Sequence, residues 1–124
     1  MSMRVFGELE TVVMAQLWEM GGDGTVREVF DRLRAEREIA YTTVLSTMEN
    51  LLRKGHLNRD QEGRAYRYRT TLTHAEHTAG LMREALAIGE KDTAAVLTHF
   101  VGEMSSEELE RLKTVIRRRG RSRR

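Results

Sequence analysis

Apolar residues recur along most of the chain at the three- and four-residue spacing of amphipathic helices. Between Gly7 and Met20, Leu9, Val12, Val13, Leu17 and Met20 form one stripe with Glu8, Glu10 and Glu19 outside it, which predicts a first helix. Thr25 then precedes Val26, Val29, Phe30 and Leu33. Thr25 and Glu28 make a T-x-x-E capping box, which satisfies free amides at a helix start and predicts a second helix to about Glu36. From Tyr41 to Lys54, Val44, Met48, Leu51 and Leu52 share a face, and Gly55 follows as a C-terminal stop for a third helix.

The period then changes. Leu57 to Asp60 and Ala65 to Arg69 are short extended runs flanking Gln61-Glu62-Gly63-Arg64, with Tyr66 and Tyr68 alternating against Ala65, Arg67 and Arg69, and they predict a β-hairpin. Helical spacing returns in His74 to Glu90 (Ala79, Met82, Leu86) and in Thr93 to Met104 (Val96, Leu97, Phe100, Val101, Met104). A last helix begins at Ser105-Ser106-Glu107-Glu108, a second capping-box candidate, and continues through Leu109, Leu112 and Ile116. Proline is absent, so the glycines at 21, 22 and 24, with Gly55, Gly63, Gly89 and Gly120, supply the punctuation. The expected fold is mainly α with a small β-hairpin: a winged helix-turn-helix over residues 1–72, a helical dimerisation region over 73–118 and a basic tail over 119–124. In such a fold one helix enters the major groove, the preceding helix braces it, and the hairpin tip reaches adjacent phosphate.

At 124 residues and 14.3 kDa the chain suits one compact domain or two very small ones, not a large catalytic scaffold. Cysteine is absent, which excludes disulfides, thiolate nucleophiles and cysteine-ligated zinc or copper and suits a reducing cytoplasm. Arg4, Glu8 and Glu10 interrupt the first segment, and no stretch nears the roughly 18 apolar residues of a membrane helix. Neither a signal peptide nor membrane insertion is expected, and a cytoplasmic location follows. There is no Gly-rich phosphate loop, Cys/His nucleophile arrangement or distinctive carboxylate pair, so neither an enzyme nor a cofactor is expected.

Charge sharpens the reading. Net charge is only +2, yet residues 1–52 and 70–116 each carry −4, residues 53–69 carry +4, and residues 117–124 hold six arginines and no acid. A basic segment within an acidic chain suits local contact with a polyanion; ordinary solvated surface is the bland alternative. The last eight residues read as a solubilising tail outside the fold. On the third helix, Thr42, Thr43, Ser46, Thr47, Glu49 and Asn50 are placed on an outward face where hydroxyls could meet base edges, although Thr42 and Thr43 equally suit the first turn of a surface helix. Arg53 and Lys54 suit phosphate and equally suit the helix macrodipole. Arg64 at the hairpin tip and Arg67 beside it are the leading phosphate candidates, while Tyr66 and Tyr68 are expected to pack the hairpin on the helices. In the C-terminal half, Leu81, Met82, Leu86, Val96, Leu97, Phe100, Val101, Leu109, Leu112 and Ile116 form stripes that a second copy would bury, with folding back on the N-terminal domain as the alternative. A two-fold dimer sets two recognition helices about one DNA turn apart, roughly 34 Å, on a palindromic site.

Gly7-Glu8-Leu9-Glu10 with Val13-Met14 and Leu17-Trp18, Thr25-Val26-Arg27-Glu28-Val29, Ala40-Tyr41-Thr42-Thr43-Val44, Leu51-Leu52-Arg53-Lys54-Gly55 and Arg64-Ala65-Tyr66-Arg67-Tyr68 follow one another in an order and spacing that resembles the penicillinase repressor (BlaI/MecI/CopY) family of bacterial winged-helix repressors. The resemblance implies a homodimeric repressor whose third helix reads a double-stranded DNA operator, with base contact at Thr42, Thr43 and Ser46 and backbone contact at Arg64 and Arg67. It further implies release by a sensor-linked protease that responds to an antibiotic or cell-envelope signal and cuts an Asn–Phe bond in the helical region. Ala95 to Val101 resembles that segment, with His99 in place of the asparagine and Phe100 retained; as structure, Phe100 reads as core. The copper-responsive branch carries paired C-terminal cysteines, which this chain lacks. His74 and His77 could share a helix face and hold a metal weakly, but read as a solvated helix start, so no metal is expected. A small-molecule sensor with an apolar cavity in the C-terminal half and a winged-helix protein-interaction module are the rival functions.

Overall fold

A computed structural model describes residues 6–88 and 90–122; the predicted stop at Gly89 and the final Arg123 and Arg124 of the basic tail lie outside the described residues. In chain order the elements are α1 (Glu8–Glu19), β1 (Asp23–Thr25), α2 (Val26–Arg34), α3 (Tyr41–Arg53), β2 (Leu57–Glu62), β3 (Ala65–Thr70), α4 (His74–Ile88), a 3-10 turn (Glu90–Asp92), α5 (Thr93–Gly102) and α6 (Ser106–Ser122).

Local chemistry sets these boundaries. At α2 the Thr25 hydroxyl accepts from the Glu28 amide and the Glu28 carboxylate accepts from the Thr25 amide, both at 3.1 Å. The same reciprocal pair forms between Ser105 and Glu108 before α6, and between Thr73 and Glu76 before α4, where the sequence reading had passed over a third T-x-x-E. α3 is terminated just past the Lys54 cap by Gly55, whose φ of +88° lets the His56 amide return to the Leu51 carbonyl at 2.9 Å. α6 continues to Ser122, so most of the stretch expected as a tail is helix. Nothing in Arg117–Arg121 breaks a helix strongly, and cations favour its C-terminal end.

The predicted hairpin is present, with β2 antiparallel to β3 from Leu57↔Thr70 to Glu62↔Ala65. The sheet is larger than predicted: β1 adds to the other edge of β3, pairing Asp23↔Arg69, Gly24↔Tyr68 and Thr25↔Arg67 in the order β1-β3-β2. A three-residue strand containing glycine has no alternation to detect.

The chain forms two compact units, Met1–Met82 and Arg83–Arg124. The first is built around Val13, Leu17, Val29, Val44, Met48, Leu51, Leu57 and Tyr68, each no more than 1% exposed. Each of these side chains contributes on the order of 1.5–3 kcal/mol by leaving water, and together they fix α3 and the wing to α1 and α2. In the second unit none of the described residues is buried.

Candidate nucleic-acid interface

The outward face of α3 begins where its core stripe ends. Val44, Met48 and Leu51 point inward, Thr42, Ser46, Glu49 and Asn50 are exposed, and Thr43 is half-buried. Thr47, expected outside, is buried, and its hydroxyl donates to the Thr43 carbonyl at 2.7 Å. It lies three residues after Val44 and four before Leu51, which puts it on the inner stripe. The Ser46 hydroxyl donates to the Thr42 carbonyl at 2.9 Å, leaving its oxygen lone pairs directed outward as acceptors.

The six cations of residues 53–69 divide by their partners. Lys54 Nζ lies 2.7 Å from the Glu10 carboxylate. Burial alone would raise the Glu10 carboxyl, but the Lys54 hydrogen bond and the Gly7 amide outweigh it and hold the group below its ordinary value. Arg69 pairs with Asp60 at 3.2 Å. Arg67 sits among three carboxylates, 2.8 Å from Asp23, 3.3 Å from Glu28 and 3.1 Å from Glu62, and so ties β1, the start of α2 and the wing together. Its guanidinium is held more firmly protonated than usual, by Glu62 first and then by Asp23 and Glu28. By contrast, Arg53 donates to the neutral Asn50 side chain, and neither Arg59 nor Arg64 forms an ion pair among the described residues. Arg64 is exposed beside Gly63, whose φ of +63° makes the wing turn.

Arg59 is the residue that sequence reasoning left unassigned. Its guanidinium carbon lies 3.9 Å from the centre of the Tyr66 ring, and Nη1 donates to the Tyr68 hydroxyl at 3.1 Å. That hydrogen bond is the chief reason its proton is held more tightly than usual. The hairpin register carried a usable signal, since Arg59 lies directly opposite Tyr68 and diagonal to Tyr66. Tyr68 packs into the core as expected, whereas Tyr66 is 42% exposed and serves as the surface on which Arg59 rests. Arg59, Arg64 and Tyr66 line a cleft of about 330 Å³ together with Arg27 of α2 and Tyr41 and Glu49 of α3.

His74 is exposed at the start of α4, as expected, whereas His77 is not solvated. His77 is buried and stacks on Phe6 at 4.6 Å, His74 stacks on Trp18 at 4.5 Å, and His56 meets Phe6 edge-on at 4.8 Å. The Trp18 indole donates to the Leu72 carbonyl at 3.0 Å. These contacts pack imidazoles as aromatic rings, and no group of three acidic or histidine side chains suited to a metal occurs among the described residues.

Of the residues read as a dimer surface, Met82, Val96, Leu97, Phe100 and Ile116 are exposed, and Leu81, Leu86, Val101, Leu109 and Leu112 are half-buried. Phe100 is 52% exposed rather than core, and the His99–Phe100 bond lies inside α5. A recess along α6 is lined by Glu110, Arg111, Thr114, Val115 and Arg118. Among the described residues no helix is long and apolar enough to cross a membrane.

The model of the penicillinase repressor family matches residues 6–118. The transcriptional regulator BlaI of Mycobacterium tuberculosis, present in two strains, is 37% identical over 112 residues, covering 89% of this chain and 81% of that protein. Among solved structures, BlaI of Bacillus licheniformis, in its monomeric form in complex with the blaP half-operator, aligns with a TM-score of 0.51 at 23% identity, covering 60% of this chain and 90% of that one. PcaV of Streptomyces coelicolor, in complex with its natural ligand, aligns with a TM-score of 0.50 at 18% identity, covering 96% and 77%. Both structural likenesses concern the winged-helix fold.

Proposed function

Since the chain belongs to the penicillinase repressor family, and is therefore a DNA-binding transcriptional repressor rather than an enzyme, we propose that it acts in the cytoplasm as a homodimer on a palindromic operator. Residues 1–72 bind DNA and 73–118 join the two copies. Thr42, Thr43 and Ser46 read base edges from α3, while Arg53 and Arg64 hold phosphates on either side and Lys54, first assigned to the backbone, stays on Glu10. Arg67, first assigned to the backbone, we place instead as an internal clamp, because its charge already meets three carboxylates. The observation that carries the DNA-reading role is the pairing of an exposed hydroxyl row on α3 with arginines that lack carboxylate partners.

Self-association is supported by a second unit without one buried residue among those described. α6 adds direction. Glu107, Glu108 and Glu110 occupy its first turns and Arg117, Arg118, Arg119 and Arg121 its last, so an antiparallel copy brings unlike charges to the same level. Release by a sensor-linked protease after an antibiotic or cell-envelope signal fits the His99–Phe100 bond in α5, a helix with no buried residue. A protease needs extended backbone, and such a helix opens at low cost.

The test is a fluorescence-anisotropy titration against the upstream region of the protein's own gene and a scrambled duplex, at two salt concentrations. Tight two-protomer binding to the upstream fragment is expected, with Thr43→Ala losing about 1–3 kcal/mol there, roughly 5- to 150-fold, and little on the scrambled duplex. Equal losses on both duplexes refute the base-reading role.

A further inference from the structure

We propose that the cleft bounded by α2, α3 and the wing is a seat for one phosphodiester of the DNA backbone, and that Arg59, held on Tyr66, is the residue that organises it. The proposal rests on the DNA-binding reading above and adds a site to it. Arg27 reaches the cleft from α2, and Arg59 and Arg64 from the wing, while Glu49 is the acid on its rim. The rim therefore carries a positive excess at the place where a strand would run from the recognition helix to the wing.

Three features make Arg59 the organising group. First, ring stacking at 3.9 Å and the hydrogen bond to Tyr68 fix the guanidinium before any ligand arrives. Little side-chain freedom is then lost on binding. Second, a guanidinium stacked by its face keeps N–H groups on its edge, and that edge matches two phosphate oxygens. Third, its stacking and hydrogen-bond partners are a ring and a phenol, and Glu49 attracts it without forming an ion pair, so it keeps more of its charge than Arg67, which meets three carboxylates. Arg27 contributes less to the seat than Arg59, because it is paired with Asp31 at 3.4 Å.

The experiment compares Arg59→Gln with Arg69→Gln in the full chain. Each removes one positive charge from the wing, but Arg69 is paired with Asp60. Binding to a random-sequence duplex is followed across 50–200 mM salt. Arg59→Gln is expected to flatten the log–log salt slope by about 0.9 per protomer, a roughly 3.5-fold difference over that range, while Arg69→Gln leaves the slope in place. Arg59→Lys keeps the charge but not the planar fork, and is expected to retain the slope while losing affinity several-fold. Thermal unfolding confirms that each variant is folded. A wild-type slope for Arg59→Gln, equal flattening by Arg69→Gln, or undiminished affinity for Arg59→Lys overturns the seat and leaves DNA binding standing. Failure of the wild-type chain to bind either the random or the upstream duplex overturns the underlying reading as well.

Discussion

Replacing Arg67 by glutamine removes the cation shared by Asp23, Glu28 and Glu62 and leaves three carboxylates facing one another. Exposed ion pairs contribute about 0.2–1 kcal/mol each. Arg67 is only 23% exposed while its partners are 39%, 47% and 57% exposed, which places the three contacts toward the upper part of that range. The total, about 2 kcal/mol, corresponds to a fall of about 8–16 °C in Tm for a unit the size of Met1–Met82. The effect has a pH signature. The Glu28 carboxyl is held below its ordinary value chiefly by the Thr25 amide; burial opposes this, Arg67 adds to the lowering through its hydrogen bond and its charge, and Asp23 opposes it. A carboxylate depressed in the folded state stabilises above its unfolded value, about 4.3, and that stability is lost as pH falls through the folded value. The Thr25 share survives in Arg67→Gln and the Arg67 share does not, so the gap between variant and wild type is full at pH 7 and narrows below about pH 4.3. Thermal unfolding by circular dichroism at pH 7, 5 and 3.5 measures both quantities. A Tm within about 2 °C of wild type at pH 7, or a gap that persists unchanged into acid, refutes the clamp.

Gly55→Ala forces a Cβ onto a φ of +88° at the end of α3 and is expected to cost about 1 kcal/mol, lowering Tm by about 4–8 °C in the same assay. Gly63→Ala is expected to cost less: an added carbon meets open space at both glycines, but φ of +63° lies nearer the centre of the left-handed region. The absence of cysteine allows a clean test of how α6 pairs. A mixture of Glu107→Cys and Arg121→Cys chains is expected to cross-link as a heterodimer on oxidation while neither variant cross-links with itself, whereas parallel pairing gives the reverse pattern on a non-reducing gel.

The helices were legible because their information is local. Val44, Met48 and Leu51 announce α3 through spacing alone, and Thr25 with Glu28 announces the start of α2. The same spacing puts Thr47 on the inner stripe, three residues after Val44 and four before Leu51, although its hydroxyl suggests an outward face. What was not legible depends on contacts between distant parts of the chain. β1 exists because β3 has a free edge, and its register then delivers Asp23 and Thr25 to the neighbourhood of Arg67. His77 is buried because Phe6, from the opposite end of the first unit, lies flat against it. Sequence displayed the cations of the wing but not the acids that would meet them, so Arg67 and Arg59 could not be told apart.

That distinction changes the expected strength of DNA binding. The segment 53–69 carries six cations, and counting all of them as phosphate contacts predicts a salt slope of about −5.4 per protomer from this region. Lys54, Arg67 and Arg69 already face Glu10, the three-carboxylate cluster and Asp60. A cation that must leave a carboxylate to meet a phosphate exchanges one anion for another and releases little counterion. Arg53, Arg59 and Arg64 have no such partner among the described residues, and three contacts give a slope nearer −2.7 per protomer. The two counts separate experimentally. Joint replacement of Arg53, Arg59 and Arg64 by glutamine is expected to abolish most of the regional slope, while joint replacement of Lys54 and Arg69 leaves most of it. A comparable loss from both sets would mean that DNA strips the internal ion pairs on binding, and that the wing rearranges its charges as it docks.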